Sequence, residues 1–298
     1  MIIYYSLIWN SIKDNQVIIS KEPVLDMQYY INEVNLRKSG ILLKVFGKIN
    51  HNSAQITKEK DNFRLINNVP LLKSNLQKAI RRGDIDRAVV TGYNLIVKNF
   101  WEFIRRIIII SIEDTSFLEN TDFLVWCMLA YPNFEITNEI IQYLLTTVYS
   151  LAKTKKALKI KKLDTFPEPD PEHKIKFPLM IRGEYGGLKG DMKMINYFCS
   201  IDITDKMIIK VPKKGMKITR GFYSRDIIPE AIDFHISKKL IPYIVSNTDL
   251  KDQDLIKKII WFNNSAFNVR KKPKIFETEK WELIKKHVRD FQKSYVIR

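Results

Sequence analysis

From Leu76 to Thr115 the chain reads LQKAIRRGDIDRAVVTGYNLIVKNFWEFIRRIIIISIEDT, and this run limits the possible folds more than any other stretch. Leu72, Leu76, Ala79 and Ile80 recur at helical spacing and so share one face. Gly83 breaks the period, and Asp84 can cap the next helix because its carboxylate accepts from backbone N–H groups left free at the start of a helix. Val89, Val90, Tyr93, Ile96 and Val97 continue the pattern, while Ile104, Ile107, Ile108 and Ile112 give a third helix apolar enough to be mostly buried. Further helices are expected over residues 122–131, closed by Pro132, and from Thr137 through Leu151. Helices joined this closely specify a bundle.

The IRRGD turn at 80–84 and the RR…SIED stretch at 105–114 resemble, at comparable spacing, the helical collar that follows the ATPase in replication-associated AAA+ proteins of the MgsA/RarA type, which are relatives of the clamp loaders. The resemblance spans residues 70–160 and implies a scaffold for assembly and positioning in a replication or repair setting. It does not imply a motor. No GxxxxGK[ST] phosphate loop is present, so ATP binding does not carry over. The continuation TSFLEN at 115–120 also departs from the glycine-containing family pattern, and ring assembly is not implied either. Arg81 or Arg82 is expected to meet Glu113 or Asp114 across the first and third helices, a structural role, since a partly buried guanidinium needs a carboxylate.

The expected architecture is mainly α, in four parts. Residues 1–68 form a small mixed α/β segment, with a strand at 41–49, a helix at 24–38 ended by Ser39-Gly40, and a loop from His51 to Asn68. Residues 69–163 form the collar-like bundle. Residues 164–180, with Pro167, Pro169, Pro171 and Pro178, form an extended Pro-rich linker. Residues 181–298 form a second, mostly helical domain. There, the glycine-rich GEYGGLKGD of 183–191 precedes a short helix at 192–198, a hairpin-like excursion at 207–218, and helices at 229–245, 253–262 and 278–291.

The formal charge of +17 points to a polyanionic partner, because each Lys or Arg placed near a phosphate releases condensed counterions. Nucleic acid, DNA in particular, is the expected partner. The basic tail supplies Lys153, Lys155, Lys156 and Lys159, followed by Lys161 and Lys162, and spreads charge around a helix suited to tracking a backbone. Arg105 and Arg106 stand beside Phe100, Trp101 and Phe103, a mixture suited to stacking, although the same rings at helical spacing read equally as core. Lys189 could offer counter-charge to a phosphate cradled by the glycine-rich turn. A positive-φ turn capped by Asp191 accounts for that turn equally well.

No cofactor and no metal site are expected. Cys127 and Cys199 are too few for a metal cluster and read as core thiols. The enzyme alternative is a metal-dependent nucleic-acid-processing activity resting on Asp226, Glu230, Asp233 and His235, with Asp233 and His235 as its minimal pair. The non-catalytic alternative is an assembly module that docks replication proteins or a second copy of itself. The N-terminus lacks a basic leader and a cleavage site, and the longest apolar runs are too short to span a bilayer. An intracellular, soluble protein without membrane contact is expected. Overuse of Lys, Ile and Asn fits an AT-rich genome such as that of a large DNA virus.

Overall fold

The computed structural model describes residues 1–24, 29–49, 66–154, 158, 170–233, 237–264 and 275–297. The chain opens with four strands: β1 (Ile2–Trp9), β2 (Asn15–Ser20), β3 (Tyr29–Leu36) and β4 (Ile41–Ile49). They form one sheet in the order β2-β1-β4-β3, with β1 and β4 parallel and the outer pairs antiparallel. Alternation decides which face is dry: Ile3, Tyr5, Leu7 and Trp9 on β1, and Ile41, Leu43 and Val45 on β4, are buried. The helix expected at 24–38 is instead β3 over its described part. Helical spacing there is overridden by the ladder that β4 offers, in which Val34 pairs with Leu43 and Leu36 with Ile41.

Helices α1 (Val69–Arg82), α2 (Ile85–Lys98), α3 (Phe100–Asp114), α4 (Thr121–Ala130) and α5 (Asn138–Lys153) follow. The caps are those the side chains can supply. Asn68, Asp84, Asn99 and Thr137 accept from the backbone N–H of Leu71, Arg87, Glu102 and Ile140, closing the starts of α1, α2, α3 and α5. Gly83 ends α1 at φ +71°, a left-handed conformation that a side chain would strain.

Helix α4 is apolar around nearly its whole circumference because it lies between sheet and bundle. Its carbonyl at Asp122 accepts from the Tyr5 hydroxyl at 2.9 Å, and its Trp126 Nε1 donates to the Phe46 carbonyl at 2.8 Å. Glu139 at the start of α5 accepts from Trp9 Nε1 and from the Ile12 backbone N–H, both at 3.0 Å. Sheet and bundle therefore share one core, which continues through Phe177, Phe198 and Phe222 to Ile232.

Within the expected Pro-rich linker, residues 164–169 lie outside the described residues, and helix α6 (Lys176–Glu184) already begins at Lys176. Its Phe177 and Leu179 enter the core, and Pro178 is tolerated because a first-turn N–H has no helical partner to lose. Helix α7 (Lys189–Ser200) follows. The expected hairpin at 207–218 is not one: β6 (Ile208–Ile209) pairs in parallel with β5 (Phe117–Leu118), and Pro212 follows without an N–H to extend a ladder. The helix expected from Pro229 is a short 3-10 turn over Pro229–Ala231, and α8 (Ser237–Asn247) starts later. With α9 (Gln253–Asn264) and α10 (Ile275–Ile297) it encloses a second, smaller core of Leu240, Ile244, Ile256, Ile260, Ile284 and Val288. Phe291 packs against both cores. The chain is mostly helical with a small mixed sheet, and none of the described helices is long and apolar enough to cross a membrane.

Candidate nucleic-acid interface

Helix α5 carries Lys153 in its last turn, where the helix's partial negative charge favours a cation. Beside it runs the segment from Lys206 to Lys217, fixed along α5 and β5 by backbone contacts. The Thr146 hydroxyl donates to the Lys214 carbonyl at 2.7 Å, and the Met216 N–H donates to the Gln142 carbonyl at 3.1 Å. Gly215 sits so close to Gln142 that a Cβ there would collide with it. The Val211 N–H is held by the Glu119 carboxylate, and the Glu119 N–H donates to the Ile209 carbonyl at 3.1 Å.

This anchoring brings Lys153, Lys206 and Lys210 to the walls of one groove of about 430 Å³, together with Ser116, Tyr149, Ser150 and Thr154. All three lysines are exposed, and Lys213, Lys214 and Lys217 continue the exposed positive charge along the chain. Among the described lining residues there is no carboxylate. The hydroxyls of Ser116, Ser150 and Thr154 donate to the carbonyls of Met207, Thr146 and Ser150, so the lysine ammoniums are the main donors facing solvent. Such a groove can hold phosphate oxygens by charge. It offers little fixed geometry with which to read a base.

Of the lysines singled out from sequence, Lys153 is the one the groove contains. Lys155, Lys156 and Lys159, like Lys161 and Lys162, lie outside the described residues. Sequence reasoning passed over Lys206 and Lys210. For Lys210 the signal available was the run KVPKKGMK, whose Pro and Gly mark an exposed, lysine-bearing turn; Lys206 stands before that run.

Arg105 and Arg106 are placed differently, on the inner side of α3. Arg106 hydrogen-bonds the Gln77 amide oxygen and lies 3.6 Å from Glu113 and 3.8 Å from Asp191. Arg105 lies 5.3 Å from the centre of the Trp101 ring. Arg182 ties α3 to the glycine-rich turn, donating to the carbonyl of Arg105 at 3.1 Å and of Gly186 at 2.9 Å. Burial, with Arg105 nearby, lowers the Arg182 pKa to about 10. Gly186 adopts φ +75°, and Lys189 stands exposed at the first position of α7.

Arg81 does meet Asp114, at 2.6 Å, while Arg82 turns to Glu230 at 2.9 Å. Gln77 Nε2 donates to both Glu113 (2.9 Å) and Asp114 (2.8 Å). Burial raises the Glu113 pKa to about 7, against the pull of Arg106 and with the push of Asp114. The segment from Gln77 to Asp114 is thus a braced internal network.

The acidic residues weighed for catalysis are separated by their partners. Asp226 is held bidentately by Arg220 at 2.7 and 2.9 Å, and Glu230 pairs with Arg82. Asp233 is almost wholly buried, accepting from Lys78 Nζ at 2.7 Å and Ser74 Oγ at 3.0 Å. Burial lowers the Lys78 pKa, opposed by Asp233. Each carboxylate faces a different cation or hydroxyl, so they do not converge on one point. His235 lies outside the described residues. Among the described residues no group of three or more His, Cys, Asp or Glu could hold a metal ion. Comparison of the chain with protein-family models, with curated proteins and with solved structures finds no match.

Proposed function

We propose that this chain is a non-enzymatic, DNA-associated accessory protein that grips nucleic acid by its phosphates without reading sequence. The observation that carries the reading is the groove of Lys153, Lys206 and Lys210, exposed on a rigid frame and lined by no described carboxylate. The +17 charge supplies the long-range attraction that steers a polyanion to it. Arg105 and Arg106 belong to the frame in this reading, and Lys189 is a peripheral cation. The replication or repair setting rests on the collar-like IRRGD and SIED segments, whose Arg81–Asp114 pair fixes α1 against α3. Filter binding of duplexes of unrelated sequence at low salt tests the proposal. Similar affinities for all of them are expected, and no retention of any duplex would overturn it.

A second reading, an assembly module, draws on β3, an edge strand of the sheet, where Tyr29 and Tyr30 are more than half exposed. Light scattering tests it. A monomer at all concentrations would remove self-association.

A further inference from the structure

A cavity of about 650 Å³ opens where the start of α1 meets the 222–227 segment, α8 and α10. Its volume lies within the range that holds small ligands. Lys239 and Tyr243, four residues apart on α8, face Phe291 and Tyr295, four apart on α10. The rings are tilted rather than stacked: Tyr243 and Phe291 lie 5.3 Å apart, and Phe291 and Tyr295 lie 6.0 Å apart. Phe222 and Leu71 add apolar wall, and Ser224, Ser294 and Asn68 add polar edges.

Charge identifies the occupant's polar end. Among the described lining residues Lys239 carries the formal charge, 5.6 Å from the centre of the Tyr295 ring, and there is no carboxylate. On either side of the lining Ser224 in sequence, the exposed Tyr223 has the Arg225 guanidinium 5.1 Å from its ring centre, and Arg225 is itself exposed. The site asks for a flat, π-faced body joined to an anion. A nucleobase on its phosphate backbone has that chemistry, because any base offers a face to an aromatic ring. A base inside a duplex is stacked on both sides and paired at its edge, and so cannot enter.

We propose that this cavity receives an unstacked base of single-stranded nucleic acid, with Lys239 and Arg225 on the flanking phosphates. The inference rests on the nucleic-acid reading above and adds to it a preference for single strands. It lives on residues separate from the lysine groove.

The test uses the full chain and fluorescein-labelled oligothymidylate, compared by anisotropy with a duplex of equal length at one salt concentration. The expected result is single-strand affinity about tenfold above duplex affinity, the effect of one stacked base. In Tyr243→Leu and in Lys239→Gln that ratio falls towards one while duplex affinity stays. Duplex binding is the internal control, so a variant that merely loses stability weakens both substrates and leaves the ratio unmoved. Equal affinity of the native chain for both substrates, or a ratio unchanged in both variants, overturns the inference and leaves the lysine groove standing. Binding of neither substrate overturns both readings.

Discussion

Two sets of charges in this molecule have opposite fates. Along α1, α3 and the 226–233 segment cations turn inward to partners: Arg81 to Asp114, Arg82 to Glu230, Arg106 to Gln77 and Glu113, and Lys78 to Asp233. Beside the end of α5, Lys153, Lys206 and Lys210 face solvent around a groove instead. The first set shapes the fold, and at Lys78–Asp233 removing one member strands a buried charge. The second lies exposed along the walls of a groove. Net charge alone could not separate them. Burial and placement do.

The comparison breaks most visibly at Asp233. Replacing it with Ala leaves the Lys78 ammonium buried beside Ser74, and a loss of about 3–5 kcal/mol in urea unfolding is expected. The double variant Lys78→Met, Asp233→Leu should recover much of that loss, since an apolar pair can fill the space of a buried ion pair. A single variant as stable as the native chain would remove Asp233 from the frame.

Glu113 gives a pH signature of the same network. Its pKa is raised from the usual 4.5 to about 7, so folding takes up a proton between those values. The stability this group contributes is complete below about pH 4.5 and is lost as pH rises to about 7. Glu113→Gln should flatten the dependence of the melting temperature on pH across that window. A native chain whose melting temperature climbs between those pH values, with the climb unaltered in Glu113→Gln, would contradict the buried placement.

Arg81→Ala should cost less, about 1 kcal/mol, because the guanidinium is about one-third exposed and Gln77 still hydrogen-bonds Asp114. Thermal unfolding reads the difference. The smallest effect on stability belongs to the groove: Lys153→Ala, Lys206→Ala and Lys210→Ala combined should move unfolding by no more than about 0.5 kcal/mol per site, as exposed substitutions do.

Much of the frame was legible in the sequence. The apolar period of α1 to α5, the Gly83 break and the Asp84 cap are local events, decided within a few residues. The Arg81–Asp114 pair was legible too, because a bundle brings α1 against α3. The strand β3 was not, since its conformation is set by β4 across a ladder that helical spacing does not reveal. Nor was the groove. Lys153 and Lys206 are distant in sequence and meet because the 206–217 segment is anchored along β5 and α5. The acidic constellation misled for the opposite reason. Asp226, Glu230 and Asp233 are neighbours in sequence, yet Arg220, Arg82 and Lys78 draw them apart.

The central claim is that the exposed lysines, and not the partnered arginines, hold nucleic acid. Anisotropy of a labelled duplex across a salt series, with the native chain, the triple lysine variant and Arg81→Ala, tests it most directly. The native chain should show log K falling linearly with log salt, and the triple variant should lose about 2–3 from that slope, roughly 0.9 per phosphate contact removed. Arg81→Ala should run parallel to the native line. Native and triple-variant lines of equal slope, or no duplex affinity at low salt, would contradict the account.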